Sequence, residues 1–120
     1  MVGEFTDGLD GLLAAALEAS PEPVMLYDQH RVVFANAAAR LMLAARTPED
    51  VLGVGLEVFL TPDFADASDE RRSYVIGHKL KFTNLPVKLR ALDGRTLHLR
   101  VDVRPVMFED MTIAMVTIAR

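Results

Sequence analysis

The sequence predicts an α+β fold, with a five-stranded antiparallel sheet, a cluster of short helices on one face and an N-terminal helix on the other. Three observations carry this. Two short β-rich runs, 24–27 and 32–35, lie close together ahead of an Ala-rich segment. The middle of the chain repeats a Thr-Pro-acid helix start at Thr47-Pro48-Glu49 and Thr61-Pro62-Asp63. The last third changes to a period of two around Asp93-Gly94.

Each element follows from local chemistry. Leu9, Leu12, Leu13, Ala16 and Leu17 recur at helical spacing, so residues 10–19 read as an amphipathic helix. Asp7 or Asp10 is placed to cap it, and Ser20-Pro21 ends it. Its apolar stripe has two readings, packing on the domain's own sheet or pairing with a second subunit. Pro23 to Asp28 is a short apolar run between turn residues, and so a buried strand. Gln29-His30-Arg31 connects it to a return strand, Val32 to Ala35. Asn36 then stands directly before an Ala-rich helix, where its side chain accepts from an amide one turn in, as an N-cap.

Thr47 caps a very short helix that Gly53 stops. Residues 66–76 read as a further helix with Ala67, Tyr74 and Val75 inward, closed by Gly77, with His78 beyond its end. Pro86 to Ala91 alternates, the Asp93-Gly94 pair turns the chain, and Leu97, Leu99, Val101 and Val103 then alternate with His98, Arg100, Asp102 and Arg104. Glu109-Asp110 turns it again. Met111 to Ala119 is apolar at both parities, so this strand should be covered on both faces and lie centrally in the sheet. Residues 1–8 read as a tail and 9–120 as one domain.

Composition narrows the functions. The 120 residues include no cysteine, which excludes disulfides, thiolate metal sites and thiol nucleophiles. A net charge of -4 argues against nucleic-acid binding by this segment. The longest uncharged run, 111–119, falls far short of the roughly 18 residues of a membrane span. The acidic N-terminus is no signal peptide, and a cytoplasmic location is expected. No Ser/His/Asp set, His-Glu-x-x-His or phosphate-cradling glycine loop is present. The acids fall mostly in caps and turns, against a small isomerase-like enzyme, which needs a buried, perturbed base. A non-enzyme is expected.

Five segments, taken in order, resemble the PAS sensory domains over Leu12 to Arg120. They are LLAAALEASPEPVMLYD, VVFANAAARLM, TPEDVLG, LTPD and LRALDGRTLHLRVDVRPV. The chain departs from the family at Ala37, where Pro often follows the Asn, at His30, and at Ala44-Ala45, where the family often has Gly. The resemblance implies a regulatory module, excised from a longer signalling protein. It would sense a small apolar or weakly polar ligand, or a partner, and transmit this to a missing output domain. That domain would be a helix-turn-helix transcription regulator, a histidine kinase or a cyclic-dinucleotide enzyme. A homodimer is expected through Leu9, Leu12, Leu13, Ala16 and Leu17. The alternative is a ligand-free dimerisation and spacing module.

The pocket that the alternation implies is lined by Met25, Phe34, Met42, Phe59, Tyr74, Leu99 and Met115, or these residues are ordinary core. Asn36 and Tyr74 are its candidate polar groups. The resemblance gives Asn36 a second role, bonding across the pocket entrance and tying strand to helix. No cofactor or metal is expected. Haem held by His78, and non-photochemical flavin, are the two cofactor readings the resemblance leaves open.

Overall fold

The computed structural model describes residues 11–108 and 110–119. Leu9, the 1–8 tail, the capping candidates Asp7 and Asp10, and Glu109 lie outside them. The chain forms helix α1 (Gly11–Ala19), strands β1 (Val24–Tyr27) and β2 (Val32–Ala35), and helix α2 (Ala37–Met42). Two single 3-10 turns follow, Pro48–Asp50 and Leu56–Val58. Helix α3 (Pro62–His78) then leads to β3 (Phe82–Arg90), β4 (Thr96–Phe108) and β5 (Met111–Ile118). The five strands make one antiparallel sheet in the order β2-β1-β5-β4-β3. The expected α+β architecture is the observed one, and β5 is central, as its two-sided apolar pattern predicts.

The core lies on the inner sheet face. Met25, Tyr27, Val101, Val103 and Ala114 pack there against Leu43, Val51, Phe59 and Val75 from the helical side. A smaller cluster, Leu26, Phe34 and Ile113, occupies the outer face, with Leu17 of α1 and Met115 against it. Helix α1 therefore packs on the outer face, while Ala15, Ala16 and Ala19 remain exposed.

Residues 46–60 act as a strap between the two sheet edges. The Asp50 carboxylate accepts from the Arg46 and Thr47 amides, at 2.8 and 3.1 Å, and shapes the first turn. These bonds hold its pKa below the ordinary value. Val32 and Gly53 exchange backbone bonds with the strap and with β2, Val32 N–H to Val54 O and Gly53 N–H to Val32 O. At the other edge, Arg90 N–H of β3 donates to Phe59 O at 2.8 Å, and Leu60 bridges Leu89. Both edge strands thus gain partners from one segment, which leaves fewer unpaired edge groups.

Two expectations are corrected by α3. The helix starts at Pro62, directly after the extended Thr61, rather than at residue 66. It also runs through Gly77 to His78, and the left-handed residue that ends it is Lys79, φ 55°. Nothing packs near Gly77, so a solvent-facing helical glycine is tolerated there and His78 is helical rather than beyond the helix. The inward stripe is Ser68, Arg72 and Val75, at i, i+4 and i+7. Ala67 and Tyr74 point away from it and are exposed, whereas Val75 is fully buried.

Candidate ligand cavity

Between the inner sheet face, the strap and α3 lies a cavity of about 80 Å³. Its walls are apolar because strand parity makes them so. Met25 and Tyr27 reach it from β1, Val101 and Val103 from β4, and Val116 from β5, each pair two residues apart on one face. Phe59 closes it from the strap and Val75 from α3.

The polar groups gather at one side. Arg72 is 7% exposed. Its Nε donates to the Gln29 carbonyl at 3.0 Å and its Nη1 to the Ser68 hydroxyl at 2.9 Å. Two bonds in different directions fix the plane of the guanidinium. Ser68, Arg71 and Tyr27 line the cavity with it. Burial pushes the Tyr27 phenol up to about 12, against the opposing charge of Arg72. The phenol is therefore a neutral hydroxyl at physiological pH. This side of the cavity presents a cation and hydroxyls.

Among the residues whose side chains the structure describes, no Asp or Glu lines the cavity. Glu18, Asp50 and Asp93 have carboxyls held below the usual range by hydrogen bonds from Arg40, from the Arg46 and Thr47 amides, and from Arg95. A general base needs the opposite environment.

The sequence-derived pocket residues separate into several places. Met25 and Phe59 line the cavity. Met42 and Leu99 pack on the same core outside the lining. Phe34 and Met115 are on the outer face. For Phe34 the cause is a bulge: Leu26 pairs with Phe34 and Tyr27 with Val32, so Val33 is an extra residue that resets the alternation. Met115 pairs with Leu26 and follows it outward. Tyr74 is 42% exposed, its ring 5.6 Å from that of His78.

Asn36 is fully buried but does not line the cavity. Its carboxamide makes four hydrogen bonds. Oδ1 accepts from the Val24 and Ala39 amides at 3.0 and 2.9 Å, and Nδ2 donates to the Leu17 and Glu22 carbonyls at 2.9 and 2.8 Å. It caps α2 as expected. It also ties α1 and β1 to that cap, with no part in a cavity entrance.

Arg72 and Ser68 are the groups that sequence reasoning missed. The signal was the spacing back from Val75, which places both on its stripe. Arg71 and Arg72 are otherwise indistinguishable in the sequence.

The cofactor readings do not fit. His78 is exposed on the outer side of α3 and is not among the lining residues. The cavity is also well below the roughly 300 Å³ at which ordinary ligand pockets begin, and haem and flavin are large ligands. No group of three or more His, Asp or Glu among the described residues could hold a metal. No described helix is long and apolar enough to cross a membrane.

Comparison with known proteins agrees with this architecture. The chain matches the PAS domain of an HTR-like protein from Haloarcula marismortui with a TM-score of 0.72, at 19% identity over 89% of this chain and 87% of that one. It matches the PAS domain of nitrogen regulation protein NR(II) from Vibrio parahaemolyticus at 0.67, 21% identity, 91% and 97%. A PAS domain in complex with ethanol, from a LuxR-family transcriptional regulator of Burkholderia thailandensis, matches at 0.69, 16% identity, 91% and 96%. No curated protein matches significantly. These identities carry the fold alone, but the PAS domain family model also matches residues 21–120, most of the chain, and by that match the protein belongs to the PAS domain family.

Proposed function

We propose that this domain is a sensory signalling module whose signal is the occupancy of the inner cavity by a small ligand. The observation that carries the reading is the enclosed apolar space with Arg72, Ser68 and Tyr27 gathered at one side. Such a pocket uses apolar walls for affinity and a few polar groups for orientation. The ethanol complex of the Burkholderia thailandensis domain supports a guest of similar size. The cavity touches the strap, α3 and β5, so an occupant that favours one packing of these elements shifts their equilibrium. The domain acts without chemistry of its own, in the cytoplasm, and passes the shift to an output domain. A kinase and a transcription regulator are the two outputs that the neighbours suggest. It works as a homodimer, with α1 at the contact, where Ala15, Ala16 and Ala19 are exposed.

The cavity's small volume favours a second reading, a ligand-free dimerisation and spacing unit. Native mass spectrometry with an absorption spectrum on freshly purified protein separates the two. A colourless dimer carrying a small additional mass supports the sensor. A dimer that stays empty after exposure to small metabolites overturns the sensor and leaves the spacing unit. A monomer at all concentrations removes the dimer from both.

A further inference from the structure

A buried donor lines the cavity without a partner of its own. Tyr27 is 9% exposed, and desolvation of its phenol lifts the pKa to about 12. Among the described residues, however, the Tyr27 hydroxyl has no hydrogen-bond partner. Buried tyrosine hydroxyls usually find one. The Thr61 hydroxyl is unpartnered too, but it is sealed in on all sides. That of Tyr27 keeps accessible surface, and Tyr27 lines the cavity. The free donor therefore borders space that a guest can fill. Both arginines of the wall already have partners, so an ionised guest would give up its hydration for little in return. The Tyr27 hydroxyl, rather than a guanidinium, is left to orient the guest. A cavity of about 150 Å³ holds a benzene, so about 80 Å³ suits roughly three to five non-hydrogen atoms. Most of the wall is aliphatic or aromatic, so most of those atoms must be alkyl.

We infer that the cavity takes a small neutral molecule of about acetone's size that carries an accepting oxygen, with Tyr27 as the residue that selects for that oxygen. The oxygen accepts from the Tyr27 hydroxyl, and the alkyl part lies against Phe59, Val75 and Val101. The inference rests on the cavity being the sensory site and names the chemical class it senses. An apolar guest of the same shape keeps the wall contacts but leaves the buried donor unpaired.

The test is an amide-shift titration of the full chain with acetone and, separately, with isobutene, which has a methylene where acetone has its oxygen. Expected is saturable movement of the Tyr27, Val75 and Val101 amides with acetone. Tyr27→Phe should weaken acetone roughly tenfold and leave isobutene unchanged or tighter. The empty variant should also match or exceed the parent's urea midpoint, because a donor without a partner contributes nothing to the empty fold. A lower midpoint would show that the phenol is already bonded within the protein, and overturns the inference. If Tyr27→Phe changes the two probes alike, or isobutene alone binds, the accepting-oxygen class is overturned and the small-ligand sensor stands. Silence with both probes overturns the class as well. The sensor itself then falls if freshly purified protein carries no bound mass.

Discussion

Arg40 and Glu18 form a two-pronged ion pair between α2 and α1, Nη2 to Oε2 at 2.8 Å and Nη1 to Oε1 at 3.1 Å. Nη1 also donates to the Ala35 carbonyl at 2.8 Å, which holds the fork in place. The Arg40 bond lowers the Glu18 pKa below its ordinary 4.5, against a smaller desolvation effect. A depressed carboxylate contributes stability above its unfolded pKa and loses it as pH falls through the folded one. The Glu18 side chain is 45% exposed, so Glu18→Gln should cost about 0.5–1 kcal/mol near neutrality. Thermal unfolding of both proteins against pH checks this. The difference should shrink as pH drops below 4.5, while the shared losses from Asp50 and Asp93 cancel.

Asn36→Asp separates a cap from a hub. Asn and Asp are equivalent N-caps, so a residue that only capped α2 would tolerate the change. Here the substitution removes two donors and turns a carboxylate toward the Leu17 and Glu22 carbonyls. A loss of about 2–3 kcal/mol is expected in urea unfolding at neutral pH. Asn36→Ala, which strands all four partners, should cost about 3–5 kcal/mol. An Asp variant as stable as the parent would show that the bonds to the Leu17 and Glu22 carbonyls contribute nothing.

Ala44 occupies a glycine's place. It has φ 60°, and α2 ends with Ala44 N–H bonded to Leu41 O and Ala45 N–H to Arg40 O, the paired bonds of a Schellman ending. A left-handed alanine costs about 1–2 kcal/mol that glycine avoids, partly offset by glycine's looser unfolded state. Ala44→Gly should therefore raise stability by about 0.5–1 kcal/mol, read as a higher urea midpoint at unchanged slope.

Val75→Ile adds one methylene to the cavity wall. With about 80 Å³ available, the extra group is expected to fill space rather than strain it, stabilising by up to about 0.8 kcal/mol. In a domain of this size the melting temperature should rise by up to roughly 3 °C, while occupancy of the cavity by a small ligand should diminish. A lower melting temperature would show instead that the wall is already closely packed around Val75.

The legible parts of the fold were those where one period ran uninterrupted. Leu97 to Val103 shows its inner face without ambiguity, and β5 declares its central place by being apolar at both parities. The site was harder because it depends on breaks in period. The bulge at Val33 sends Phe34 to the outer face, and nothing in VVFA marks it. On α3, Tyr74 and Val75 are adjacent and similar in β-propensity, yet about 100° of helical rotation places one in water and the other in the core. Arg72 reads as a surface residue because isolated arginines usually are. Its burial follows from tertiary partners, Gln29 and Ser68, the first of which lies far away in sequence.

The pairing of β1 with β5 joins Val24 to Thr117 and Met25 to Val116, segments roughly ninety residues apart. The β3-β4-β5 meander can form from local contacts, but the sheet cannot close across β1 until nearly the whole chain is available. During synthesis, the β1-β2 hairpin must wait for β5 to leave the ribosome before its open edge is covered. The inner core, which needs both halves, should then form late and in a single cooperative step whose rate is set by that long loop closure.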